Sequence, residues 1–226
     1  EYIDLVCEEI MPAVAAEGLA DAVDVFCESI AFNLAECERV FDKAVELGLS
    51  VKGHVEQLSD SGGAALVARY GGLSVDHIEY LAESDLAMIR KAGCVAVLLP
   101  GAFYSLGETR KPPVQALRDA GIAIAVGTDL NPGSSPLASL LLNMNMASTL
   151  FGLTAEENLA AVTEHAAAAL GLVHSKGRIA SGFDADLVLW DIADPAELSY
   201  GHKLVQPTAI WRAGHQSDVS REPGRV

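Results

Sequence analysis

Basic residues are scarce in this sequence. Its 226 residues carry 15 Lys and Arg against 31 Asp and Glu, a formal net charge of -16. No basic cluster interrupts that balance, so a phosphate backbone finds no concentrated counter-charge and nucleic-acid binding is not expected. The acidic surface reads as a solubility device. Long apolar runs are absent as well. None approaches the roughly 20 residues that span a bilayer, so no membrane role is expected. No basic stretch followed by a cleavable apolar segment opens the chain. Cysteine is sparse and unpatterned: Cys7, Cys27, Cys37 and Cys94 have no CxxC spacing. A zinc ribbon or a disulfide framework is therefore not indicated, and reduced thiols in a cytoplasmic setting are the expectation. The first residues, Glu1-Tyr2-Ile3-Asp4, lack methionine, which suggests a beginning inside a longer protein.

Apolar residues are plentiful, at 50% of the chain, enough to bury the core of one large domain or two small ones. Ile3, Val6, Cys7, Ile10 and Val14 recur at helical spacing and Gly18 closes the pattern, with Pro12 inside it as an expected kink or break. Val23 to Phe26 reads as a strand. Asn33 followed by Glu36 forms a capping box, opening a helix with an apolar stripe of Leu34, Cys37, Phe41, Ala44 and Val45 and a stop at Gly48. Further strands are expected at Leu49 to Gly53, Leu73 to Val75, Val95 to Leu99 and Ile122 to Val126. Helices are expected from Gly62-Gly63 to Tyr70, from a Ser84 cap to Lys91, and after Pro112-Pro113. The five strands end near Phe26, His54, His77, Leu99 and Asp129, about 20 to 30 residues apart, which suits consecutive βα crossovers of a parallel sheet. Eight such units close a barrel of about 250 residues. Five leave two readings, an open doubly wound sheet or a barrel whose first three strands precede residue 1.

The fifth unit leads into Gly127-Thr128-Asp129-Leu130-Asn131-Pro132-Gly133-Ser134-Ser135, followed by a helix expected from Pro136 to Leu150 with serine as cap. A loop this rich in Gly, Asn, Pro and Ser can turn backbone N–H groups toward an anion. Its plainer reading is a strand-to-helix turn with Asp129 as local cap. Met144 and Met146 on the helix read as core rather than as a dimer surface. Thr154 with Glu157 makes a second capping box for a helix to Leu170. The tail changes character: Gly177 to Ile179, Ala185 to Trp190 and Pro207 to Arg212 read as strands without intervening helices, hence a small separate β unit. Residues 213 to 226 read as polar and frayed.

His54, His77 and Asp129 fall at strand ends, which in a barrel of parallel strands ring one mouth. Two imidazoles and a carboxylate suit a borderline divalent metal such as Zn²⁺ or Fe²⁺. Such a centre activates water and polarises a carbonyl, and an aspartate beside it can carry the proton to a leaving nitrogen. His165 and His174, on or after a helix, and His202 and His215, in the tail, read as non-catalytic.

The stretches VFCES (25–29), VKGHVEQLSDSGG (51–63), SVDHIEYL (74–81), AVLLPGAFYSLG (96–107) and GTDLNPGSSP (127–136) resemble the imidazolonepropionase family of the amidohydrolase superfamily. GRIASGFDADLVLWD (177–191) resembles the superfamily's C-terminal return into its β-sandwich. The resemblance implies an α/β fold: strands 4–8 of a (β/α)8 TIM-type barrel over residues 1–174, and part of a composite β-sandwich over 175–226. It implies His54 as a metal ligand, His77 as the group polarising the substrate carbonyl, and Asp129 as metal ligand and proton shuttle. Gln57, Asn131, Gly133 and Ser134 match substrate-binding positions. The implied reaction is metal-dependent hydrolysis of 4-imidazolone-5-propanoate to N-formimidoyl-L-glutamate with one Zn²⁺ or Fe²⁺, in a cytoplasmic homodimer.

The sequence departs from the family in one respect. The first-strand HxH metal pair is absent, as are the arginine, tyrosine and histidine that complete the substrate site. Truncation accounts for this, and the 226 residues alone are not expected to close a barrel or turn over substrate. The alternatives are another amidohydrolase acting on a cyclic amide or deaminating an aromatic ring, and an inactive homologue serving in assembly.

Overall fold

The computed structural model of the chain describes residues 1–201 and 205–217. The expectations for His202 and for the polar end beyond residue 217 lie outside them. A five-stranded parallel sheet holds β1 (Ala22–Cys27), β2 (Ser50–Val55), β3 (Ser74–His77), β4 (Val95–Leu98) and β5 (Ile124–Val126), hydrogen-bonded in the order β1-β2-β3-β4-β5. A doubly wound sheet reverses its strand order at a switch point. Here the order never reverses, so the strands follow one another like staves of a barrel wall. The outward-turned sides of β1 to β4 pack on helices through Val25, Val51, Val55, Val75 and Leu98, all buried. Parallel strands covered by helices read as near-continuous apolar runs, which is why these five were legible.

The helices follow local chemistry closely. Asn33 accepts the Glu36 N–H and Glu36 accepts the Asn33 N–H, the capping box that opens helix Leu34–Glu46. Cys37, Val40, Phe41 and Ala44 form its buried face, whereas Leu34 and Val45 are exposed. The first helix runs without interruption through Tyr2–Leu5, Val6–Ile10 and Met11–Ala16, its middle segment widened to a π turn in which the Met11 N–H reaches the Val6 carbonyl. Pro12 has no N–H for the Glu8 carbonyl and its ring crowds that oxygen. A widened turn just before it is the usual relief. Pro12 therefore neither breaks nor ends the helix.

Several expectations are corrected. The helix after the Asp129 loop begins at Leu140, not Pro136, because Ser139 accepts the Leu142 N–H while Ser135 donates its hydroxyl to the Thr128 carbonyl. Leu86–Ala92 starts without a Ser84 cap, after a short 3-10 turn at Glu83–Asp85. The helix from Thr154 is two pieces, Ala155–Ala161 and Glu164–Ala169. Helix Pro100–Ser105 follows β4 directly and was not foreseen. Met144, by contrast, is buried in the core as expected, while Met146 is only partly buried.

A second, antiparallel sheet joins β6 (Leu187–Trp190), β7 (Pro207–Arg212) and β8 (His215–Ser217) in that order. The strand β8 lies where a frayed end was expected. Gly177 to Ile179 form no strand. Gly177 has φ +86°, a Cβ there would meet the Thr163 carbonyl at 2.7 Å, and Arg178 pairs with Glu164. That stretch turns against a helix instead of pairing with a strand. Among the described residues no helix is long and apolar enough to cross a membrane. All four cysteines are free and buried.

Candidate metal and catalytic centre

Parallel strand ends gather the three residues that the sequence singled out. The β2–β3 register places His54 beside Asp76 and Val55 beside His77. Strict alternation would therefore turn His77 away from His54, toward the helices. His77 escapes this with φ +78°, and the ring centroids of the two histidines lie 5.2 Å apart. Asp129, three residues past the end of β5, has φ +48°. Its carboxylate lies 3.9 Å from His54 Nε2 and 3.8 Å from His77 Nε2. Left-handed conformations at non-glycine residues cost on the order of 1–3 kcal/mol each and gather at functional sites. Without them alternation would have scattered this trio.

One donor atom from each of His54, His77 and Asp129 falls within 4.8 Å of the others. The two separations to Asp129, 3.9 and 3.8 Å, are too long for direct hydrogen bonds and fall within the roughly 4.4 Å that two ligand atoms can span across one ion with bonds of about 2.0–2.2 Å. Burial alone would lower the His54 pKa. The facing Asp129 and the carboxylates of Asp24 and Asp76 more than offset it, raising the pKa to about 10. Even with the Lys52 ammonium on Asp76, Asp24 and Asp129 leave an excess of negative charge around one imidazole that suits a divalent cation, so the donor set fits the implied metal. Burial, and then the His54 charge, push the His77 pKa down to about 3, so its imidazole is neutral at pH 7. Burial raises the Asp129 pKa, but the two histidines outweigh it and hold the carboxyl below its ordinary value.

The other expected site residues do not all converge on the trio. The side-chain oxygen of Asn131 accepts the N–H groups of Gly133 (2.9 Å) and Ser134 (2.7 Å), and its amide donates to the Asp129 carbonyl (2.7 Å). Asn131, Gly133 and Ser134 thus form a clip that fixes the backbone at Asp129, closed by the Asn131 N–H donating to the Ser135 carbonyl. Gln57 is buried in the loop after β2. That loop is pinned by the buried Glu28, which accepts the N–H of Leu58 at 2.8 Å and the hydroxyl of Ser59 at 2.6 Å. Glu56, fully buried, accepts the N–H groups of Gly63 and Ala64 at the start of helix Gly63–Arg69.

The sequence reading missed Glu28, Glu56 and Asp24. For Glu28 and Glu56 the signal available was a charged residue just after an apolar strand, since such a group is buried only with partners; Asp24 is exposed and gave no such signal. A cavity of about 750 Å³ lies between helix Leu140–Met146 and the second sheet and is lined by Met144, Trp190 and Trp211. It contains none of the trio.

Glu79 lies two residues beyond His77 and is only 3% exposed; its Oε2 has no hydrogen-bond partner among the described residues. Burial, reinforced by the carboxylates of Glu108, Glu28 and Asp129, raises its pKa from 4.5 to about 8. The folded state therefore holds a proton that the unfolded chain releases near 4.5. This contribution to stability is fully present below pH 4.5 and is lost as pH rises through about 8. Glu79→Gln, neutral throughout, should keep it. Urea midpoints of the complete gene product should fall across that window for the natural protein relative to the variant. Parallel profiles would contradict the buried, protonated Glu79.

The amidohydrolase family model matches residues 25–219, which is most of the chain and includes all three of these residues. The chain belongs to the amidohydrolase family. Among related amidohydrolases, the imidazolonepropionase of Pseudoalteromonas atlantica is 57% identical over 95% of this chain and 53% of its own length. That of Chromobacterium violaceum is 62% identical over 88% of this chain and 48% of its own. The chain thus spans about half the length of the relatives it matches. Solved structures share the fold at lower identity. A zinc-bound adenosine deaminase from Xanthomonas campestris superposes with a TM-score of 0.73 at 24% identity, covering 93% of this chain and 54% of that one. An aminofutalosine deaminase from Helicobacter pylori gives 0.72 at 16% identity, covering 93% and 63%.

Proposed function

We propose that the protein carrying this chain is an imidazolonepropionase, hydrolysing the cyclic amide of 4-imidazolone-5-propanoate to N-formimidoyl-L-glutamate in histidine degradation. The identity of 57–62% to relatives of that name carries this reading. The trio of His54, His77 and Asp129 supplies the chemistry it needs. The two sheets go with a division into a barrel portion, residues 1–174, and part of a β-sandwich, 175–226. The family resemblance adds a cytoplasmic setting and a homodimer.

In this proposal His54 and Asp129 hold a single Zn²⁺ or Fe²⁺, with the remaining ligands outside this sequence. Such an ion lowers the pKa of water to about 7 and polarises a carbonyl. Asp129, whose carboxyl is held below its ordinary pKa and is therefore ionised at neutral pH, accepts a proton from the attacking water. It returns that proton to the amide nitrogen as the carbon–nitrogen bond of the ring breaks. His77, neutral at pH 7, donates an N–H to the carbonyl oxygen as negative charge develops there. Gln57 and the Asn131–Ser134 clip orient the substrate, and the same clip keeps Asp129 at its strained backbone angle.

The substrate class is tested by incubating the metal-loaded complete gene product with 4-imidazolone-5-propanoate, other cyclic amides and ring-amino aromatics. Loss of the imidazolone absorbance with formation of N-formimidoyl-L-glutamate is the expected result, with no ammonia released from the aromatic set. Deamination without imidazolone hydrolysis would overturn the substrate and leave the hydrolytic centre.

A further inference from the structure

His54 offers two ring nitrogens, and only Nε2 faces Asp129. Its Nδ1 points back into the sheet, where Asp24 Oδ2 lies at 2.8 Å and Asp76 Oδ2 at 3.7 Å. The two carboxylates come from the strands on either side of β2 and are offset by two residues along it: Asp24 pairs with Lys52, and Asp76 with His54. They are not equivalent. Asp76 is nearly fully buried and already engaged, since Lys52 Nζ donates to its Oδ2 and Ser74 Oγ to its Oδ1 at 2.7 Å. Asp24 has no such donors among the described residues other than His54 Nδ1.

A neutral imidazole carries one N–H, and the nitrogen that binds a metal must be the bare one. A carboxylate 2.8 Å from Nδ1 keeps the proton there and leaves Nε2 as the lone-pair nitrogen. It also stops the ring from rotating and makes the imidazole more basic. Lys52 is essential to this assignment. Without its ammonium on Asp76, two unneutralised carboxylates would compete for the same N–H. With it, the ring is referred to Asp24 alone.

We propose that Asp24 is the positioning residue of the metal centre, holding His54 in the Nδ1–H tautomer with Nε2 toward the ion, and that Lys52 reserves Asp76 from that role. The proposal rests on the reading of His54 as a metal ligand and extends it to a residue on a different strand. In this proposal Asp24 acts through His54 rather than on the ion or the substrate, although Asp24, His54 and Asp76 also lie within metal-sharing distance of one another.

The test uses the complete gene product and measures zinc affinity by competition with a chromophoric chelator, so it does not depend on turnover. Asp24→Asn should weaken zinc binding by about 10- to 100-fold while leaving the melting temperature of the chelator-treated protein unchanged, a combination that a merely structural role would not give. His54→Ala in parallel should abolish tight binding. If His54→Ala abolishes it and Asp24→Asn stays within twofold of the natural protein, the positioning role is wrong and the ligand reading stands. If His54→Ala leaves affinity intact, the ligand reading itself fails, and the proposal with it. Nitrogen-15 spectra of the zinc-loaded natural protein give a result that needs no variant. The account requires a proton on His54 Nδ1, and a proton on Nε2 would overturn it.

Discussion

Asp129→Asn in the metal-loaded complete gene product is expected to lower kcat on 4-imidazolone-5-propanoate by about 10²- to 10⁴-fold, the range for losing a positioned proton carrier. Asparagine keeps the size of the side chain and one oxygen donor but cannot shuttle a proton at neutral pH. Its amide would also face His54 and His77, each less than 4 Å from the natural carboxylate. KM should change little, because the lost interaction is one made in the transition state. Metal content measured on the same sample separates the two roles of the residue. A variant that retains metal and turns over within tenfold of the natural protein would remove Asp129 from the proton path.

The second large effect is expected at His77. Its ring is 2% exposed, its pKa is pushed to about 3, and its Nδ1 has no partner among the described residues. A neutral imidazole buried in this way is suited to donating a hydrogen bond rather than a proton. His77→Ala should therefore reduce kcat by about 10²- to 10³-fold, as loss of one oxyanion donor does elsewhere, with metal content nearly unchanged. His77→Asn, which restores an N–H near the same place, should recover part of the loss. Equal losses in both variants would indicate that the ring matters for shape alone. A further consequence is that no ionisation of His77 should appear in the activity profile between pH 5 and 8. A pKa in that range that disappears in His77→Asn would contradict the neutral donor.

The fold was legible wherever a local rule and the tertiary environment agree. The capping boxes at Asn33 with Glu36 and Thr154 with Glu157 both form as read, because their hydrogen bonds are closed within four residues. The five core strands were visible because the buried valines, leucines and isoleucines of each stand out between turn and helix signals, although β1 and β2 are buried fully on one face only. The helix after Asp129 was misplaced by four residues. Pro136 and the preceding serine look like a helix start, but the Ser135 hydroxyl is drawn to the Thr128 carbonyl across the loop. Gly177 to Ile179 looked like a strand until packing against helix Glu164–Ala169 claimed it. In both cases a long-range contact outweighed the local pattern.

The candidate centre was legible as three residues at strand ends, but not as a geometry. Nothing in the sequence states that His77 adopts φ +78°, which turns it into the mouth against the alternation of its strand. Nor does the order of residues show that Asn131 is occupied in holding the Asp129 carbonyl, or that Glu28, 29 residues before Gln57, pins the loop that carries it. Those links depend on register between strands, which a local pattern does not encode.

The most direct test of a metal-dependent hydrolytic centre at His54, His77 and Asp129 follows imidazolone absorbance with the complete gene product before chelation, after chelation, and after return of zinc or iron(II). Turnover should vanish with the metal and return with one equivalent per chain, and His54→Ala should not be rescued by that addition. Turnover that survives quantitative removal of metal would contradict the account.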